Sequence, residues 1–312
     1  LRFRITFAET DNLTMKSETL KSHFKLHFVV LIYGFTAILG KLITLPATQL
    51  VWFRMLIAAV SFYLYFRIRK KSFRVSRKDL LQILGVGLIV GAHWITFFGA
   101  IKISNVSVTL GCLASTTLFT SFLEPLFYRR RLNLLDIFIG LMIIAGLYMV
   151  FRFETQYTAG ILVALTSAFL AGLFTVLNKK LIAHNSASVI SFYEMLGGFG
   201  GISIFLAFTG QLNLSSLQMT GMDLFYLLLL AIVCTAFAFA VQVDVMRELS
   251  AYIVALTINL EPIYGILLAF FIFGESEQMT AGFYIGTAVI LLAVFGYPIY
   301  HHYKRKRALL KI

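Results

Sequence analysis

"FTAILGKLI" at residues 35–43 is echoed by "FTVLNKKLI" at residues 174–182, with Phe, Thr, Lys, Leu and Ile recurring in the same places. A few residues downstream, "LVWFRML" (50–56) is echoed by "ISFYEML" (190–196). An echo at fixed spacing marks an internal repeat, and what fills the interval decides the fold. A helix that crosses a bilayer needs roughly 20 mostly apolar residues. Such runs occur ten times, at residues 26–42, 46–66, 80–101, 106–128, 134–151, 160–182, 189–208, 224–243, 251–273 and 281–300. Each member of an echoed pair lies five helices from the other. An odd number of crossings turns the second copy over, so the pattern predicts two inverted five-helix repeats, residues 24–151 and 152–300. Secondary transporters are built this way, with the site at the repeat interface near the membrane midplane.

Composition agrees with that class. Of 312 residues, 59% are hydrophobic and 13% charged, whereas a soluble domain carries about 25% charged residues. The expected fold is therefore an all-α polytopic membrane protein, whose short loops leave no soluble domain to carry chemistry. A net charge of +13 invites a nucleic-acid reading, but the positions of the charges argue for topology. Seven basic residues fall in "RIRKKSFRVSRK" (67–78), three in "RRR" (129–131), five in "KRKRALLK" (304–311), and Lys179 and Lys180 follow the sixth run. All these loops share one side, while Lys41, Lys102 and Arg152 fall on the other. Lys and Arg concentrate in cytoplasmic loops, so both termini are expected in the cytoplasm. The partners implied are membrane lipid and a small-molecule substrate, with no nucleic acid. "VDVMRELSA" (243–251) is the one loop on that side without a basic excess.

Residues 1–23 lack the apolar core and cleavage site of a signal peptide and read as an N-terminal extension. "MKSETLKSHFKLHF" within it points to Met15 as the natural start. Residues 301–312 read as a basic cytoplasmic tail. Cys112 and Cys234 fall inside helices without metal-ligand neighbours, as small packing residues. No cofactor is called for.

The polar groups placed in lipid carry the function. Arg54 lies in helix two, about 12 Å from the outer end by helical rise, and its repeat counterpart Glu194 lies about 8 Å from the cytoplasmic end of helix seven. In a hydrocarbon core about 30 Å thick that leaves roughly 10 Å between them, compatible with a bridge of extended side chains or with a wet cavity. Intramembrane charges cost at least about 2.5–3.5 kcal/mol and face a partner or a cavity. Glu261 precedes Pro262 in mid-helix nine, where proline frees a carbonyl, and Thr257, Glu261 and Tyr264 form one stripe at helical spacing. "AHWITFF" (92–98) places His93 and Trp94 inside helix three, readable as a titrating site or as a packed histidine bonded to a carbonyl. Thr117, Ser121 and Glu124 share a face of helix four, and Thr235, Ala238 and Gln242 one of helix eight. Helices three, four, eight and nine are the expected cavity walls. The glycines of "GGFGG" (197–201) and "GFYIG" (282–286) permit close helix packing, within the chain or across a homodimer.

"LEPLF" (123–127) and "LEPIY" (260–264) look equivalent, yet aligning them drives Arg129–Arg131 into mid-helix. Matching Ser104 with Ser250, and "IG" at 139–140 with "IG" at 285–286, pairs Glu261 with Ser115 and Pro262 with Thr116. No HExxH, GxSxG or phosphate-cradling loop is present.

The two echoed segments, together with "INLEPIYGILLAFFIFGESEQMTAGFYIGTAVIL" (258–291), resemble the drug/metabolite transporter superfamily in its EamA-domain branch. Pro262, Gly274, Glu275 and Gly286 match the family's second-repeat ending. The first repeat departs from it, with Thr116 in place of the proline and Arg129–Arg131 in place of the Gly-Glu loop. The resemblance implies a gradient- or proton-driven carrier working by alternating access, often an exporter of amino acids or related metabolites, and the compact loops favour a bacterial cytoplasmic membrane. On that reading the chain is a carrier and not an enzyme. Arg54 suits a carboxylate, and Glu194 or Glu261 an ammonium. Three alternatives stay open: exchange of anionic solutes such as sugar phosphates or nucleotide sugars, an intramembrane enzyme using His93 with Glu261, and a non-transporting receptor with a packed core.

Overall fold

A computed structural model of the chain describes residues 20–129, 138–213, 217–293 and 295–296. The expected extension before Met15, Arg130, Arg131 and the basic tail lie outside them. Among the described residues all regular structure is helical. Eight helices are long and apolar enough to cross a membrane: α1 (Leu20–Leu42), α2 (Ala47–Ile68), α3 (Arg77–Ile103), α4 (Val106–Tyr128), α6 (Thr155–Leu181), α7 (Ala187–Phe208), α8 (Gly221–Val245) and α9 (Ala251–Glu277). Two shorter apolar helices, α5 (Phe138–Phe153) and α10 (Ala281–Ala293), complete the set.

Local chemistry starts the helices where polar residues interrupt the apolar runs. The Asp79 N–H donates to Ser76 Oγ at α3, and Thr220 and Asp223 bond reciprocally as a capping box at α8, satisfying amides that have no partner within the helix. Asp223 also accepts from Thr44 N and Oγ1 at 2.7 and 2.8 Å, tying the α1–α2 turn to the start of α8. At the same end Glu277 accepts from Lys41 Nζ (2.7 Å) and from the Val106 and Ser107 amides that open α4.

The helix packing is unchanged by exchanging the two halves. α3 packs on α6 and α7, as α8 packs on α1 and α2; α4 packs on α6, as α9 packs on α1. Counterpart helices that touch run antiparallel. Trp52 meets Ser203 and Phe66 meets Phe192 between α2 and α7. Thr117 meets Asn259 and Glu124 meets Tyr252 between α4 and α9. In α5 and α10, Gly146 lies against Gly286 and Ile290, and Phe153 against Gly282.

α4 and α9 are each broken at one place. Val106–Leu113 and Thr116–Tyr128 correspond to Ala251–Ile258 and Glu261–Phe273, eight residues followed by thirteen in both. The N-caps Asn105 and Ser250 keep the same spacing, accepting from Val108 N and Ile253 N. Glu261 therefore corresponds to Thr116 and Pro262 to Thr117, one residue from the pairing that matching Ser104 with Ser250 predicts. α9 breaks because Pro262 has no N–H to donate. α4 breaks without proline: the Ser115 and Thr116 hydroxyls donate to the Cys112 and Leu113 carbonyls at 2.7 Å each, competing with the helix ladder.

Large apolar side chains such as Phe28, Leu141, Phe205 and Leu267 are exposed on the outside of the bundle. The glycine motifs are used inside the chain. A Cβ on Gly197 would lie 2.4 Å from the Leu84 carbonyl of α3, and one on Gly198 would lie 2.8 Å from that of Gly87.

Candidate functional site

A narrow cavity of about 70 Å³ lies between the two halves, smaller than the sites that hold drug-sized ligands. Its wall is made by α1 (Tyr33, Thr36), α2 (Arg54), α3 (His93, Trp94, Phe97), α4 (Leu113, Thr116), α6 (Ala171, Phe174, Thr175), α8 (Phe239, Gln242) and α9 (Ala255, Ile258, Asn259, Glu261, Pro262). Lining residues come from the expected α3, α4, α8 and α9, and α1, α2 and α6 join them.

Arg54 is 1% exposed. Its Nε donates to Thr235 Oγ1 at 2.6 Å, and its guanidinium carbon stands 3.7 Å from the centre of the Trp94 ring, a cation–π stack. The Thr235 hydroxyl in turn donates to the Leu230 carbonyl five residues back. That contact exists because Leu229–Phe237 winds as a wide π-type turn inside α8, a form that recurs at functional sites. Nη1 of Arg54 is buried without a partner, as is Oγ1 of Thr36, another residue of the cavity lining. Glu261 stands at the break of α9 within electrostatic reach of Arg54 and forms no hydrogen bond or ion pair among the described residues. A cation and a carboxylate thus share one cavity, neither of them neutralised by a closed bridge.

The remaining polar wall is held in place. Tyr33 Oη donates to Gln242 Oε1 at 2.5 Å. His93 Nδ1 lies 2.9 Å from the Ser167 carbonyl and 2.8 Å from its hydroxyl, so the ring is anchored to α6 rather than paired with Glu261. Phe97 and Phe174 flank it.

The structure gathers Arg54, His93, Trp94, Gln242 and Glu261 from the sequence-predicted set. Thr117 sits behind the wall, accepting from Asn259 Nδ2 at 2.5 Å. Thr257 turns its hydroxyl back to the Ile253 carbonyl. Tyr264 is 37% exposed on the outside of α9, with its Cβ against Gly34. Glu194 is fully buried between α7 and its neighbours, away from the cavity lining. Its oxygens have no hydrogen-bond partner, so it forms no bridge to Arg54. Tyr33, Thr36, Thr116, Phe174, Thr175 and Asn259 were not singled out by sequence. For two of them the signal was in the repeat: Thr36 and Thr175 are the same threonine in "FTAILGKLI" and "FTVLNKKLI".

Two halves around a polar cavity inside an apolar bundle match a known family model, the EamA-like transporter family, over residues 21–152 and again over 158–297. The chain belongs to the EamA-like transporter family. Among curated relatives it is similar to the uncharacterized transporter YxxF of Bacillus subtilis (strain 168), 22% identical over 260 residues, covering 78% of this chain and 79% of that one. A solved crystal structure is similar at a TM-score of 0.64 and 16% identity, covering 88% of this chain and 95% of the other; the likeness extends to the fold. The chain is therefore an integral membrane protein of a transporter family, and the two matched segments coincide with the two halves of the bundle.

Proposed function

We propose that this EamA-like protein is a secondary carrier that exports a small amphoteric metabolite, with amino acids first among the candidates. It would work by alternating access in a bacterial cytoplasmic membrane and draw on the proton gradient. The observation that carries this reading is that Arg54, one of whose guanidinium nitrogens has no hydrogen-bond partner, lines the same cavity as the unbonded carboxyl group of Glu261. A solute carboxylate can take the guanidinium through the charge-assisted bonds in which Arg excels, and a solute ammonium can take Glu261. Trp94, Phe97, Phe174 and Phe239 offer apolar surface for a side chain between them.

The topology belongs to the same proposal. All ten apolar helices cross the membrane, the second repeat is inverted, and the end bearing Arg67, Arg69, Lys70, Lys71 and Lys179 faces the cytoplasm with both termini. The basic bias of the loops and the antiparallel counterpart helices support it. Exchange of phosphorylated solutes fits less well, because Arg54 is the one Arg or Lys among the described residues that line the cavity and a phosphate favours several. A receptor with a packed core has no use for a cavity lined by a buried guanidinium and an unbonded carboxyl group.

The test compares media from cells expressing wild type or Arg54→Gln at equal membrane abundance, with empty cells as reference. The expected result is a zwitterionic metabolite enriched outside with wild type only. Equal enrichment with both proteins removes Arg54 from the solute path, and no enrichment with either refutes export.

A further inference from the structure

A second polar cluster lies apart from the cavity and has no role in holding the solute. Glu194, in the first part of α7, is 0% exposed, and so are Ser191, one turn before it on the same face, and Asn178 on α6. Both carboxyl oxygens of Glu194, both amide atoms of Asn178 and the hydroxyl of Ser191 are buried without a hydrogen-bond partner. The Asn178 amide lies beside the Glu194 carboxyl group, near enough for a side-chain hydrogen bond to form with a small reorientation. None of the three lines the solute cavity. Five orphaned polar atoms in one buried place are exceptional, because buried polar groups are nearly always paired and an intramembrane carboxylate is by default functional.

We propose that Glu194, Asn178 and Ser191 form a proton-binding site, distinct from the solute cavity. The uptake is a simple addition: the carboxylate takes one proton from the aqueous phase and becomes a neutral acid, and the release is the reverse. Asn178 serves both states. Its Nδ2 donates to the carboxylate and its Oδ1 accepts from the acid, so a rotation of one amide follows the proton. The Ser191 hydroxyl, donor and acceptor in one, does the same. The wall on the α3 side is tight, since a Cβ on Gly87 would lie 2.3 Å from the Glu194 carbonyl oxygen.

No other charge on the packed elements substitutes for the proton. Arg54 of α2 and His93 of α3 face the solute cavity. Lys179 of α6 donates to the Met246 carbonyl, Asp244 of α8 pairs with Lys25 and Arg247, and Asp79 of α3 bonds Ser76. The repeat adds an independent reason. Glu194 occupies in α7 the place that Arg54 occupies in α2, and Met55, beside Arg54, packs on Gly198, one turn beyond Glu194. One copy thus presents a fixed cation to the solute, and its inverted counterpart holds a titratable acid in the adjoining helix.

Proton binding itself does not depend on the carrier reading; its use to drive export does. The test is infrared difference spectroscopy on the full chain in liposomes, titrated with pH and with no solute added. The expected result is a carboxylic-acid carbonyl band that titrates, vanishes in Glu194→Gln, persists in Glu261→Gln and shifts in Asn178→Ala. A titrating band that survives Glu194→Gln, or a Glu194 band that never deprotonates, overturns the proposal. Should Glu194→Gln fail to fold, Asn178→Ala keeps the acid in place, and an unshifted band there is equally contrary. A pH-gradient assay on the same liposomes, using a mixed amino-acid pool as probe, separates the two claims. A titrating Glu194 without solute movement refutes the carrier and leaves the site, while solute movement without a Glu194 band refutes the site and leaves the carrier.

Discussion

Arg54 is held by two contacts of different kinds, the hydrogen bond from Nε to Thr235 and the stack on Trp94, which leave Nη1 for a ligand. Arg54→Lys keeps the charge but loses the planar fork and most of the stack, so it is not a conservative change here. A charged hydrogen bond contributes about 1.5–3 kcal/mol, roughly one to two decades of affinity. Solute counterflow should therefore show apparent affinity at least about tenfold weaker for Arg54→Lys and no counterflow for Arg54→Gln. Trp94→Phe should weaken affinity less than Trp94→Ala, since cation–π contacts are worth about 0.5–2 kcal/mol and phenylalanine retains part of that. At this scale the charges in apolar runs were legible, because lipid makes each of them conspicuous, but their direction was not. Arg54 and Glu194 are equivalent in sequence, yet one side chain enters the cavity and the other stays between helices. Tyr264 shares a stripe with Glu261 only on an unbroken helix; the break at Asn259 and Leu260 resets the phase and leaves Tyr264 outside.

Among the elements, α3 and α7 are joined by a glycine seam that lets their backbones touch. Gly87 abuts the Glu194 backbone at a distance no Cβ tolerates, whereas Gly85, half a turn away, has open space around it. Gly87→Ala should lower stability by about 1–3 kcal/mol through overpacking, and Gly85→Ala should leave it unchanged or slightly higher. Thermal unfolding in detergent checks both, and equal melting of the two variants would dissolve the seam. "GGFGG" signalled close approach in advance but not its partner helix, which only the three-dimensional packing selects. The wide turn in α8 had no sequence signal at all: "LLAIVCTAF" carries no proline or glycine. The α4 break was equally hidden, because Ser115 and Thr116 achieve with hydroxyls what Pro262 achieves by lacking an N–H.

For the whole molecule, the repeat was the most legible feature, since echoed segments and loop charge are properties of sequence that packing does not alter. The cavity walls were only partly legible. α1 and α6 contribute through Tyr33, Thr36, Phe174 and Thr175, residues too ordinary to stand out in an apolar helix. The proposed orientation makes a labelling prediction. Cys112 and Cys234 are buried at 0% and 4% exposure, so single cysteines report cleanly against them. A membrane-impermeant maleimide should label Gln278→Cys in intact cells and should reach Ser72→Cys only after the membrane is opened; the reverse pattern would invert the molecule. The central claim, that one cavity holds a small amphoteric solute between Arg54 and Glu261, is tested most directly by counterflow of a mixed amino-acid pool into liposomes containing wild type, Arg54→Gln or Glu261→Gln. The account predicts that wild type accumulates at least one zwitterion, that neither variant does, and that the corresponding amine without its carboxylate is ignored. Accumulation by Arg54→Gln at the wild-type rate would contradict it.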